Sequence, residues 1–155
     1  MTDLAREIET LREFADLSRL PTALGEPLAE ASLRQNPEDF FVSEYTGLEL
    51  SGSGEHLFVR VRKTGQNTRW VAKQLAAYAG IEYKSISYAG LKDRHAITEQ
   101  WFSLHIPGKT DPDWSALAIE GVEVLQTCRH NRKLRQGQLS FNRFRLMLRN
   151  CRNLD

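Results

Sequence analysis

The sequence predicts an α+β domain, an antiparallel or mixed sheet with helices on one side. Three observations carry this. Short runs rich in aromatic and β-branched residues recur along the chain, among them "DFFVSEY" (39–45) and "HLFVRVR" (56–62). One segment, "NTRWVAKQLAAYAG" (67–80), has helical periodicity, begins with capping residue types and ends in glycine. At 155 residues and 41% hydrophobic content, the chain is sized for one domain with a real core.

In chain order, Leu4, Ile8, Leu11 and Phe14 recur at helical spacing and predict a short amphipathic helix ending before Pro21. "PTALGEPLAEAS" (21–32) mixes Pro, Gly and small residues and reads as a connector. The strand at 39–45 follows. After the turn "SGSGE" (51–55), the strand at 56–62 alternates Leu57, Val59 and Val61 against Phe58, Arg60 and Arg62. Its position predicts a hairpin with the preceding strand. The helix at 67–80 turns Trp70 or Val71, Leu75 and Tyr78 to the core. "SISYAG" (85–90) is a short strand running into a basic turn, and "EQWFSLHI" (99–106) is a strand stopped by Pro107-Gly108. "DPDWSALA" (111–118) is a helical turn. "VEVLQTCRH" (122–130) and "LSFNRFRLMLRN" (139–150) are strands joined by the loop "NRKLRQGQ".

Composition excludes several classes. No apolar run reaches membrane-spanning length, and the acidic N-terminus lacks a signal-peptide core, so a cytoplasmic setting is expected. Cys128 and Cys151 have no ligand spacing around them and the four histidines form no metal-binding pattern, so no metal is expected. The net charge of +1 conceals a division. Residues 1–60 carry 5 Lys/Arg against 12 Asp/Glu, and residues 61–155 carry 16 against 8. From Arg129 to Arg152 there are eight basic residues and no acid. A solvated basic face accounts for this, as does a polyanionic partner.

The stretch "SISYAGLKDRHAITEQWFSL" (85–104) places one carboxylate, Asp93, between Lys92 and Arg94. A flanking ammonium or guanidinium stabilises the anion, as a carboxylate nucleophile requires, though the same residues suit an inert surface turn. Glu38, Asp39 and Glu44 around Phe40 and Phe41 suit a strand cap and an outer face. In the strand at 139–149, alternation places Asn142, Phe144, Leu146 and Leu148 on one face and Arg143, Arg145, Met147 and Arg149 on the other. An amide beside an aromatic ring suits a nucleobase edge and face, and an arginine face suits phosphates. The competing reading makes Phe144 core and the arginines solvent-facing. "SGSGE" lacks the Lys-Ser/Thr ending of a P-loop.

Several segments, in order, resemble the TruD-type tRNA pseudouridine synthases. "NPEDFFVSE" (36–44) is similar to that family's opening motif, and "YAGLKDRHAITEQWFSL" (88–104) to its Gly-x-Lys-Asp signature. "EHLFVRVRKTGQNTRWVAKQLA" (55–76) has the family's look, and "RHNRKLRQGQLSFNRFRLMLR" (129–149) resembles the segment carrying its Asn-x-Phe pair. Phe141 stands where the family usually has glycine, and the family's downstream Asn-Tyr-Phe-Gly motif is missing. The resemblance implies an isomerase that converts uridine to pseudouridine in tRNA, at uridine-13 in bacterial members, without cofactor or metal. It implies Asp93 as the catalytic aspartate, and Phe40, Lys92, Asn142 and Phe144 as substrate-binding residues. It also implies that residues 1–34 are an extension and connector. Residues 35–155 are then the N-terminal part of a catalytic domain, inactive alone. The alternative is an RNA-binding module without turnover.

Overall fold

The computed structural model of the chain describes Gly25 and residues 29–153. The helix expected before Pro21 and most of the connector lie outside the described residues. The chain divides into a small unit, residues 1–31 and 150–155, and a larger one, residues 32–149. The larger unit holds the main sheet and every residue of the candidate site. No helix among the described residues is long and apolar enough to cross a membrane.

The strands are β1 (Glu30–Leu33), β2 (Phe40–Tyr45), β3 (His56–Thr64), β4 (Ile86–Tyr88), β5 (Ile97–His105), β6 (Val122–His130), β7 (Phe141–Leu146) and β8 (Leu148–Arg152). The helix α1 spans Thr68–Tyr78. Six strands form one mixed sheet, in the order β6-β3-β5-β2-β7 with β4 added to β5. Strand β5 is its centre. Along one edge it pairs antiparallel with β3, from His56↔His105 to Thr64↔Ile97. The other edge is shared. Strand β2 runs parallel to the start of β5 (Phe41↔Ile97 to Ser43↔Glu99), and β4 runs antiparallel to its later part (Ile86↔Leu104 to Tyr88↔Phe102). The chain leaving β4 emerges where these two partners part.

Period-two alternation decides the core. Leu57, Val59 and Val61 of β3 and Phe102 and Leu104 of β5 share a face, and Val71, Ala72, Leu75 and Ala76 of α1 pack on it. The buried stripe of α1 differs from the expected one, since Trp70 and Tyr78 remain over a third exposed. Gly80, at φ 61°, follows the helix in the left-handed conformation that ends helices. On the opposite face Phe58, Ala89, Trp101 and Leu134 form a second cluster. "SGSGE" proves more than a flexible turn: a Cβ at Gly54 would lie within van der Waals radii of the His130 carbonyl, so only glycine fits.

Two strand expectations are corrected. Strands β2 and β3 are not a hairpin; β2 pairs with β5 and β7, and β3 with β5 and β6. The segment between them does reverse the chain, but it crosses over β5, which lies between the two strands. The run 139–150 is two strands, not one. The Met147 N–H carries the β2–β7 register one step further, onto the Asp39 carbonyl at 2.8 Å, where β2 gives way to the turn before it. Strand β8 pairs with β1 instead.

Candidate active site

The segment after β4, residues 89–96, has no regular structure of its own, yet its polar groups are held one after another. Gln100 Nε2, from β5, donates to the Gly90 carbonyl (3.1 Å). The Lys92 N–H donates to Thr68 Oγ1 at the start of α1 (2.9 Å), and that hydroxyl donates to Gln100 Oε1 (3.0 Å). Lys63 Nζ, from β3, donates to the Asp93 carbonyl (2.6 Å). Arg94 Nε donates to the Gly65 carbonyl (3.1 Å). Buried Thr68, Gln100 and Lys63 thus fix the backbone while the Asp93 carboxyl points outward, its side chain 52% exposed. Such a loop holds a carboxylate in one place without relying on the carboxylate's own contacts.

Among the described residues, the cation paired with that carboxylate is Arg34, whose Nη2 lies 3.4 Å from Asp93 Oδ1. Lys92 and Arg94, the sequence neighbours, turn elsewhere. The Arg34 guanidinium also lies over the Phe40 ring, 4.5 Å from its centroid. Phe40 in turn stacks nearly parallel to Phe144, with ring centroids 6.1 Å apart and 9° between planes. Register explains the meeting. In the β2–β7 ladder Val42 faces Phe144 and Glu44 faces Asn142, so Phe144 and Asn142 project on the same face as Phe40. Phe40 is buried, whereas Phe144 is 56% exposed and presents a free ring face. On the other face Arg145 lies over Phe41 and Arg143 over Tyr45.

Between loop and ladder sits a buried ion pair. Lys92 Nζ lies 2.8 Å from Glu44 Oε2 and donates to Asn142 Oδ1 at 2.9 Å. Glu44 Oε1 accepts from the Trp101 N–H (3.3 Å), a donor of β5 stranded where β2 and β4 part. The carboxylate therefore completes the sheet and neutralises the loop's ammonium. Glu44 and Asp39 do not decorate an outer face, as expected, but are 1% and 2% exposed. Asp39 accepts a two-pronged contact from Arg149 and the Asn36 N–H, which fixes the "NPED" turn between Arg34 and Phe40. The hydrogen bonds from Arg149 hold the Asp39 carboxyl below the usual carboxylate range, against the opposing pull of burial.

All five residues implied by the resemblance, Phe40, Lys92, Asp93, Asn142 and Phe144, lie in this one region, linked through the contacts above. Arg34 and Lys63 escaped notice, and Glu44 was read as an outward-facing charge. Arg34 carries no local signal, because only the topology brings it to Asp93. Glu44 and Lys63 had one: strand parity puts Glu44 with Phe40 and Val42, and Lys63 with Leu57, Val59 and Val61.

Lys63 is fully buried, and burial pushes its ammonium down to about 8, opposed by the charge of Asp93 and reinforced by that of Lys92. The unfolded chain, with an ordinary lysine near 10.5, binds more protons between those values. Stability therefore rises as pH climbs through that interval, opposite to the behaviour of a favourably paired lysine. Denaturation at two pH values, about 7.5 and 9.5, should show an alkaline gain of about 2 kcal/mol in wild type relative to Lys63→Met. Equal pH responses of the two proteins would show that Lys63 is not an ammonium buried against its preference.

Comparison with known proteins identifies the family. The family model for tRNA pseudouridine synthase D (TruD) matches residues 23–155. The chain is 52% identical over 130 residues to the tRNA pseudouridine synthase D of Methylococcus capsulatus (strain Bath), covering 84% of this chain and 37% of that protein. The crystal structure of a putative tRNA pseudouridine synthase D from Methanosarcina mazei superposes with a TM-score of 0.66 at 32% identity, covering 77% of this chain and 27% of that one. The chain thus spans little more than a third of the curated relative's length. A match over nearly the whole chain, on the strands and loop that assemble the site, means that this chain belongs to the tRNA pseudouridine synthase D (TruD) family.

Proposed function

We propose that this chain supplies the catalytic loop and base-binding strand of an isomerase that converts uridine, at position 13, to pseudouridine in tRNA. The observation that carries the reading is the Asp93 carboxylate: it projects from a loop pinned at every turn, beside Arg34 and near the Phe40–Phe144 ring pair. The reaction breaks the N1–C1′ glycosidic bond, turns the uracil and rejoins it through C5. The C5 proton leaves and N1 gains one, so no redox partner enters. The uracil must leave the RNA stack to be reached.

In this reading Asp93 attacks C1′, or takes the C2′ proton to give a glycal; both begin from an anion facing the sugar. Arg34 stabilises that anion and is placed to meet an adjacent phosphate. Phe144 offers its exposed face to the base, with Phe40 backing the ring. Lys92 acts through Asn142: because Asn142 Oδ1 accepts from Lys92, the amide NH2 is left to donate to a uracil carbonyl. The test is to incubate the protein, at the full length of its relatives, with an unmodified tRNA transcript. Pseudouridine is then mapped by carbodiimide-dependent reverse-transcription stops. A stop at uridine-13 is expected. Tight tRNA binding with no stop at any uridine would replace this reading with an RNA-binding module.

A further inference from the structure

On the flank of the Asp93 loop lie two adjoining clefts of about 550 and 560 Å³. The first is walled by Arg69 of α1, the segment from Tyr83 to Leu91, and the basic loop at Lys133–Gln136. The second continues past Arg69 and Leu91, which line both, to Trp70, Lys73 and Lys92. Among the described residues, no carboxylate lines either cleft. Their surfaces alternate cations with rings. Tyr83 is 42% exposed, has the Lys73 ammonium 5.9 Å from its centroid, and its hydroxyl lies 3.5 Å from that of Tyr88. The basic loop is not a loose arm. Leu134, fully buried, anchors it in the cluster of Phe58 and Trp101, and the Gly137 N–H donates to the Ala89 carbonyl at 2.7 Å. The cleft is therefore tied to the chain segment that carries Asp93.

We infer that this double cleft is a track for unpaired nucleotides of the RNA flanking the reacting uridine, with Lys133 and Arg135 on phosphates and Tyr83 stacking a base. The inference rests on the tRNA reading above and extends it to a surface outside the Asp93–Phe144 site. Interleaved cations and exposed ring faces suit single strands, because a ring face stacks only on a base that has left its helix. The shared Arg69–Leu91 wall leads the track to Lys92, and so to the residue before the candidate nucleophile. An acidic peptide would meet the charges but leave the ring faces unused.

The experiment titrates this chain against a fluorescein-labelled unstructured RNA about eight nucleotides long, within the site sizes of stacking grooves, by anisotropy at several salt concentrations. Lys133→Gln/Arg135→Gln should weaken binding and flatten the slope of log affinity against log salt by about 1.4, two contacts at about 0.7 each for a single strand. Tyr83→Ala should weaken binding about tenfold with the slope unchanged, as loss of one stacked base predicts. Arg143→Gln/Arg145→Gln, which removes the same charge from the far face of β7, should change neither quantity comparably. Equal losses in the two double variants, competition by polyglutamate as effective as by RNA, or no RNA binding at all would overturn the track. Binding is read without turnover, so a full-length protein that makes no pseudouridine yet shows the expected losses would sink only the isomerase reading. One that makes it while the variants bind normally would sink only the track.

Discussion

Asp93→Asn, in the protein at the full length of its relatives, should retain tRNA binding and lose pseudouridine formation by at least about 10³-fold, within the range for a positioned catalytic carboxylate. The substitution keeps the side chain's size and removes its charge. It also leaves the loop in place, since Lys63, Thr68 and Gln100 hold the backbone and none of them contacts the Asp93 carboxyl. Affinity and chemistry should therefore separate. Single-turnover assays at saturating enzyme report the chemical step, and filter binding reports affinity. A rate within a few-fold of wild type would remove Asp93 as nucleophile or base. Equal losses of binding and rate would make it a tRNA contact.

Lys92→Met should cost about 3–5 kcal/mol of folding stability, the usual consequence of removing one partner of a buried pair. The variant strands the Glu44 carboxylate, fully buried and tied on its other side to the Trp101 N–H. The loss is of the neutralising charge more than of a favourable contact, so adding Glu44→Gln should recover part of it. Urea denaturation of wild type, the two single variants and the double gives the coupling energy of the pair, the double variant's loss less the sum of the two single losses. A Lys92→Met protein within about 0.5 kcal/mol of wild type would match an ordinary surface substitution and refute the buried role.

Local patterns found the elements more easily than their partners. The helix at Thr68–Tyr78 and the strands β3, β5 and β6 follow from periodicity, because alternation and turn residues act within a few positions. The hairpin expected between β2 and β3 failed because nothing local shows that β5 takes an edge of each. The break at Met147 was hidden for the same reason, since it depends on where β2 ends. At the site, the motifs led to Asp93, Asn142 and Phe144, and alternation put the last two on one face. Arg34 was beyond reach because its relation to Asp93 exists only after β2 has settled beside β5. Glu44 and Lys63 were legible by parity, but Glu44 was read as facing outward and Lys63 was passed over, since a charge on a strand is ordinarily taken to face water.

The shared edge of β5 also bears on the order in which the protein is made. By the time the ribosome has produced β5, the chain already contains β3, α1 and β4, all close in sequence, and these hold the Asp93 loop through Gln100, Thr68 and Lys63. Strand β7 comes much later and pairs with β2 across a long sequence separation, the kind of contact that forms slowly. The contacts that hold the Asp93 loop, and the Lys92–Glu44 pair, thus involve only residues up to Gln100, whereas Phe144 and Asn142 follow about forty residues later in the chain. In the reading proposed above, the ring and amide of β7 are then a late addition to the loop, and a growing chain carries the Asp93 carboxylate before the surface proposed to hold a base against it.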